Sequence, residues 1–175
     1  MRIIGGEFRS RRLKSLSGLK MRPTPDRLRE TLFDILGARI RGAEFLDAYA
    51  GSGAVGLEAL SRGAARAIFL EKHRAAAAVI RENLAALGLA EQAEVIHGEV
   101  LKRLGQCAVD IVFLDPPYEE ERECRAALRL LGASPPPLVV AQHSARTRLD
   151  DDYGSLHRGR VVRQGDNALS FFESR

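Results

Sequence analysis

The stretch Asp110-Ile-Val-Phe-Leu-Asp-Pro-Pro-Tyr118 decides the fold. Ile111 to Leu114 is a short, unbroken apolar run flanked by acids, the pattern of a strand buried on both faces of a parallel sheet. The run stops at Asp115-Pro116-Pro117-Tyr118. Consecutive prolines cannot donate to a ladder and they hold the backbone extended. The Asp115 carboxylate and the Tyr118 ring are therefore expected on a stiff ledge at the C-terminal end of the strand. In open α/β sheets that edge is where ligands bind. An acid and a prolyl carbonyl there can grip an exocyclic amine, and a flat ring can stack on a base that has left its helix. A lone Pro-Pro-Tyr reads equally well as a strand-ending turn with a surface tyrosine; the buried strand and the acid ahead of it favour catalysis.

Upstream, residues 44–56 run from a short strand into a glycine turn and then a helix ending near Gly63. Gly51-x-Gly53-x-x-Gly56 fits a dinucleotide fingerprint, and Glu71 lies 20 residues after Gly51, where a ribose-binding acid belongs. Asp47 opposes that reading. It sits four residues before Gly51, close to where a pyrophosphate would rest on the helix N-terminus, and two anions there repel. A ligand carrying an ammonium and a sulfonium, such as S-adenosylmethionine, is favoured by the same carboxylate. Ala67–Leu70 is the next buried strand, placing Glu71 at its end to accept from ribose hydroxyls. A helix follows near His73–Leu87, with Gly88 as its stop and Asn83 as a structural residue. Ala93–Ile96 forms a third strand, after which Gly98 allows close approach to an adenine and Glu99 can accept from its amine.

Toward the N-terminus, Thr24 is the expected helix cap, Pro25 the first helical residue and Asp26 a favourable charge at the dipole's positive end. Leu28, Leu32, Ile35 and Leu36 give this helix its core stripe, and Gly37 its stop. Beyond the central motif, Glu119–Glu123 opens another helix, Pro135–Pro137 is a linker and Leu138–Val140 a fifth strand. Asp150–Asp152 reads as a solvated loop. Leu156–Arg163 and Asn167–Phe172 alternate about Gln164-Gly165-Asp166, an antiparallel hairpin. The expected architecture is α/β and Rossmann-like: a mostly parallel seven-stranded sheet with an antiparallel C-terminal hairpin, preceded by a basic N-terminal arm.

At 175 residues the chain is expected to form one domain, residues 23–175, with residues 1–22 as an extension of it. No apolar run approaches the length of a membrane span, no signal-peptide core is present, and Cys107 and Cys124 form no C-x-x-C pair. A cytoplasmic protein with reduced thiols and no metal is expected. The net charge of +4 is uneven. Residues 1–41 hold eleven Lys/Arg against four Asp/Glu, a surplus of +7, leaving −3 for the remainder. A basic arm on a mildly acidic body suits a polyanion, nucleic acid first, with Arg9, Arg11, Arg12, Lys14 and Lys20 as the candidate contacts.

Several blocks together resemble the RsmD family: Arg2-Ile-Ile-Gly-Gly, Arg22-Pro-Thr-Pro-Asp-Arg, Arg29-Glu-Thr-Leu-Phe, Asp47-Ala-Tyr-Ala-Gly-Ser-Gly, Gly56-Leu-Glu-Ala-Leu-Ser-Arg-Gly63, Asp115-Pro-Pro-Tyr118 and Gly165-Asp-Asn-Ala-Leu-Ser-Phe-Phe172. The resemblance implies a class I methyltransferase acting on N2 of a guanine in bacterial 16S rRNA, free or within the small ribosomal subunit, and working as a monomer. Asp115, Pro116 and Tyr118 are then the catalytic candidates. The candidate residues around S-adenosylmethionine are Arg22, Thr24, Asp47, Ala48, Tyr49, Gly51, Ser52, Gly53, Gly56, Glu71, Lys72, Gly98, Glu99, Val100 and Asp115. Glu99 stands where that family usually has an aspartate; Gln142 replaces a glutamate and receives no role. Three other readings use the same residues: an adenine-N6 methyltransferase, a nicotinamide oxidoreductase and a non-enzymatic rRNA-binding assembly factor.

If the arm touches RNA, neutralising Arg9, Arg11 and Arg12 should flatten the slope of log K against log salt by roughly 0.7–0.9 for each phosphate no longer neutralised. A slope unchanged in filter-binding titrations removes the arm from the interface.

Overall fold

A computed structural model describes residues 1–16, 24–117 and 121–175. The strands are β1 (Glu44–Ala48), β2 (Arg66–Glu71), β3 (Ala93–His97), β4 (Ile111–Leu114), β5 (Leu138–Ser144), β6 (Asp152–Tyr153), β7 (Leu156–Gln164) and β8 (Asn167–Ser174). They form a single sheet in the order β3-β2-β1-β4-β5-β8-β7-β6. The first five are parallel to one another, and β6 to β8 are antiparallel additions. The helices are α1 (Asp26–Leu36), α2 (Ala54–Ser61), α3 (Arg74–Leu87), α4 (Val100–Arg103) and α5 (Glu121–Ala133).

Side chains alternate across the central strands, so each parallel strand feeds two cores. Phe45, Phe69, Phe113 and Val140 join Leu32, Leu57 and Ile80 on the face covered by α1, α2 and α3. Leu46, Leu70, Val112 and Val139 join Leu104, Leu128 and Phe172 on the opposite face, under α4 and α5. The strand order reverses between β1 and β4, since β2 and β3 extend one way and β5 the other. That switch point leaves a crevice at the C-terminal strand ends.

The sheet has eight strands rather than the expected seven. The additional strand is β6, at Asp152–Tyr153, where the acidic run suggested only a loop. Packing overrides polarity there. Tyr153 is buried, with its ring edge-on to Phe172 at 5.7 Å. Its carbonyl lies so close to Gly132 of α5 that a Cβ on that glycine would come within 1.9 Å. The start of α1 also differs from expectation. Pro25, at φ −54° and ψ 140°, is the cap, and the helix begins at Asp26. The carbonyl of Pro25 accepts from the Arg29 N–H at 3.0 Å, while the Thr24 hydroxyl turns away to Asp115 Oδ2 at 3.3 Å.

Residues 1–13 form a small hairpin closed by an Arg2–Arg12 bridge, with Ile3 and Leu13 buried. The hairpin is fastened to α1 and α2. The buried Glu58 carboxylate accepts from the N–H groups of Ile4 and Gly5 at 2.9 and 2.8 Å and from Arg62 Nε at 2.9 Å. The buried Arg29 approaches the same carboxylate at 3.6 Å and donates from Nη2 to the Arg2 carbonyl at 2.7 Å. Gly6 fits only because it lacks a side chain: a Cβ would fall 1.9 Å from the Ser61 carbonyl.

Glu58→Ala removes the buried carboxylate beside Arg29 and leaves two backbone donors unmatched, so it should lower unfolding free energy by about 3–5 kcal/mol. Urea denaturation checks this, and a loss below about 1 kcal/mol contradicts it.

Candidate active site

Asp47 and Asp115 flank the topological switch point from its two sides. Asp47 is the fourth residue of β1, paired with Phe113 of β4, and Asp115 follows directly after β4. Both line a cleft of about 360 Å³, within the range of small-ligand sites. Thr24, Tyr49, Gly51 and Ser52 line it as well, so the cleft gathers six of the residues named from sequence. Phe113 and Val55 supply apolar walls.

The turn after β1 owes its shape to left-handed backbone. Tyr49, Gly51 and Gly53 all have positive φ, at 67°, 56° and 78°, a region costly for a residue with a side chain. This reversal carries the chain from β1 into α2 and aims the first-turn amides of α2 back at the strand. Asp47 takes advantage of that. Its Oδ2 accepts from the Gly56 N–H at 2.8 Å, so a side chain of the protein already occupies the anion-favouring end of the helix. A pyrophosphate seated on that helix N-terminus would have to displace or face this carboxylate. The geometry therefore opposes the dinucleotide reading.

Burial pushes the Asp47 pKa well above the usual carboxylate range; the Gly56 hydrogen bond opposes this, and the charges of Asp115 and Glu71 reinforce it. Three carboxyl groups near one cleft make a strongly cation-seeking site. Glu71 sits at the end of β2, buried, with Oε2 accepting from the Gly51 N–H and Oε1 from the His73 N–H, both at 2.7 Å. Each oxygen has a second lone pair suited to a ribose hydroxyl.

The remaining sequence candidates lie at varied distances from this centre. Gly98 is tied to the Glu71 carbonyl by its N–H at 3.0 Å, at the neighbouring strand end. Glu99 is exposed and paired with Lys102 at 2.7 Å, which lowers its pKa. Ala48, Gly53, Gly56, Glu71, Lys72, Gly98, Glu99 and Val100 lie outside the lining of the Asp47–Asp115 cleft; Glu71 is joined to it through its hydrogen bond from the Gly51 N–H. Ala48 points into the opposite core. Gly53 and Gly56 are also close-packed: a Cβ on Gly56 would meet Phe69 at 2.3 Å and one on Gly53 would meet Ile80 at 3.0 Å. Tyr118, Arg22 and Lys20 lie outside the described residues.

Among the lining residues not assigned to the site from sequence are Asp26 of α1 and, from the N-terminal segment, Met1, Ser15 and Leu16. The N-terminal residues reach the cleft because the hairpin docks on α2, and the Ser52 hydroxyl contacts Met1 Sδ at 3.2 Å. In the hairpin, Arg9, Arg11 and Arg12 are exposed and form no ion pair among the described residues. Lys14 is committed to Glu82 at 2.8 Å, and its backbone to Asn83. Among the described residues, no helix is long and apolar enough to cross a membrane.

Comparison with known proteins places this geometry. The family described as "Conserved hypothetical protein 95" matches residues 1–173. YlbH of Bacillus subtilis, a candidate rRNA methyltransferase by its name, is 32% identical over 184 residues with both chains fully covered. Ribosomal RNA small subunit methyltransferase D of Escherichia coli is 47% identical over 120 residues, covering 67% of this chain and 60% of that enzyme. The solved E. coli protein yhhF, a candidate methyltransferase by name, superposes with a TM-score of 0.87 at 36% identity, covering 100% of this chain and 98% of that one. A Thermus thermophilus protein, TTHA0928, superposes with a TM-score of 0.83 at 33% identity, with 99% of each chain covered. The chain belongs to the RsmD family of methyltransferases.

Proposed function

We propose that the protein transfers a methyl group from S-adenosylmethionine to the exocyclic N2 of a guanine in 16S rRNA of the small ribosomal subunit. The observation that carries this reading is the pair Asp47 and Asp115 on one cleft at the sheet's switch point. The rRNA substrate is supported by the named activities of the bacterial relatives. The cofactor fits the residues present. A buried acid that disfavours its own ionisation gains from a cationic ligand, and the α2 amide nearest Asp47 is already engaged by that carboxylate rather than offered to phosphate. When bound, S-adenosylmethionine supplies a methyl group on a positively charged sulfur, an electrophile for which alignment provides much of the acceleration.

Asp47 attracts the cofactor's cationic end, and Glu71 holds the ribose. Asp115 accepts from the target amine, together with the Pro116 carbonyl on its rigid ledge, and so orients the nitrogen lone pair into the cleft. Thr24 donates to Asp115 Oδ2 at 3.3 Å, which fixes the carboxylate's rotation toward the cleft. Tyr118 stacks on the extruded base, returning about 1–3 kcal/mol against an extrusion cost of a few kcal/mol. Arg9, Arg11 and Arg12 provide phosphate contacts on the hairpin.

Asp115→Ala should abolish transfer while leaving cofactor binding largely intact. Mass mapping of methylated nucleosides in small-subunit rRNA checks both the activity and the base, and full turnover in the variant, or methyl on adenine, contradicts the reading. A second prediction follows from the raised pKa of Asp47. The unfolded chain ionises this group more readily, so stability is fully present below the ordinary carboxyl pKa and is lost as pH rises through the higher folded value. Asp47→Asn should therefore melt higher than the wild type at neutral pH, with the gap closing below about pH 4. Its affinity for S-adenosylmethionine should fall in calorimetric titration. Unchanged affinity with a lower melting temperature contradicts the assignment.

A further inference from the structure

Pro116 and Pro117 border a second, small cleft lined from β5 by Gln142, His143 and Ser144. Gln142 is only 3% exposed, and its carbonyl Oε1 has no donor among the described residues. Its neighbour is satisfied: His143 Nδ1 meets the Ser144 carbonyl and Nε2 meets Ser170 Oγ, both at 2.8 Å. A buried acceptor without a donor destabilises a fold, and an apolar group of the same shape would serve packing as well or better. No described residue makes use of this oxygen.

Register shows what it faces. β4 and β5 pair Phe113 with Val140 and Leu114 with Ala141, so Asp115 and Gln142 come next along adjacent strands. Phe113 and Val140 share one core. Side chains repeat every two residues along a strand, so register puts Asp115 and Gln142 on one face of the sheet at adjacent strand ends; Asp115 lines the larger cleft and Gln142 the small one beside it, with Pro116 and Pro117 bordering the small cleft.

We propose that Gln142 Oε1 accepts the N1–H of the target guanine and thereby restricts the site to that base. This deepens the function proposed above and rests on it. In guanine, the N2 amine donor is followed along the ring edge by a second donor, N1–H. In adenine, the N6 amine is followed by N1, and in cytosine the N4 amine by N3, both acceptors. With the amine held at Asp115 and Pro116, the next ring nitrogen falls toward the adjacent strand. A carbonyl oxygen there pairs with guanine and faces a lone pair in either competitor, and a site built around one hydrogen bond rejects analogues that lack it.

The test uses a synthetic rRNA fragment with guanine or 2-aminopurine at the mapped target position. 2-Aminopurine keeps the 2-amino group but offers N1 as an acceptor. The wild type should prefer guanine. Gln142→Leu should lose about tenfold or more in kcat/KM on guanine, and its preference over 2-aminopurine should shrink in step. Its melting temperature should not fall, because an unmatched acceptor has been removed. Gln142→Glu, which offers only acceptors, should retain the preference. An unchanged preference in Gln142→Leu, or a lost one in Gln142→Glu, overturns the inference. So does a wild type that prefers 2-aminopurine, the signature of an amide presenting its NH₂. If circular dichroism shows Gln142→Leu to be misfolded, Gln142→Met takes its place with the same expectations. A wild type that leaves guanine N2 unmethylated overturns the proposed function itself, whereas the other outcomes overturn only the role of Gln142.

Discussion

One hydrogen bond organises the site: Asp47 Oδ2 to the Gly56 N–H, at 2.8 Å inside the protein. It joins the end of β1 to the first turn of α2 and closes the glycine turn between them. It also holds a carboxylate where burial and two neighbouring acids oppose its charge. Such an arrangement is costly to an empty protein and favourable to one holding a cation. The strain of the left-handed Tyr49 in the intervening turn serves the same end, in which local conformation is given up to place an acid.

The opposite wall of the cleft is built by different physics. The proline ledge after β4 is rigid because its φ angles are fixed and it makes no ladder bonds. Asp115 is steadied by Thr24 from the segment leading into α1. The third wall, from Met1, Ser15 and Leu16, depends on a buried ion network around Glu58 of α2. The basic hairpin is thus a folded part of the cleft, and its exposed arginines sit on a rigid mount.

Much of this was legible in the chain. The continuous apolar runs of β2, β4 and β5 announce strands buried on both faces, and the prolines after Leu114 mark the ligand edge. Asp47 ahead of a glycine turn argues against phosphate on charge alone. What escaped notice depends on tertiary contact. β6 is two residues long, too short for periodicity to register, and exists because Tyr153 wedges between α5 and Phe172. The hairpin's docking was signalled only by a glutamate, Glu58, amid the small and apolar residues of α2, all of which are buried. Two of the turn's glycines, Gly53 and Gly56, also make room for Ile80 and Phe69, a packing demand that spacing alone does not reveal. Gln142 stands out in the sequence only as a departure from the family pattern, with no role attached, since an amide in an apolar strand gains meaning only when its partners can be counted.

The most direct measurement is a crystal structure with an S-adenosylmethionine analogue bearing an amine in place of the sulfonium. The expected result places that amine between Asp47 and Asp115, within about 4–6 Å of a carboxylate, with the ribose at Glu71. An analogue bound along the β7–β8 face, or with its adenosine end against Asp115 and its cation in solvent, would contradict the central role of the two acids.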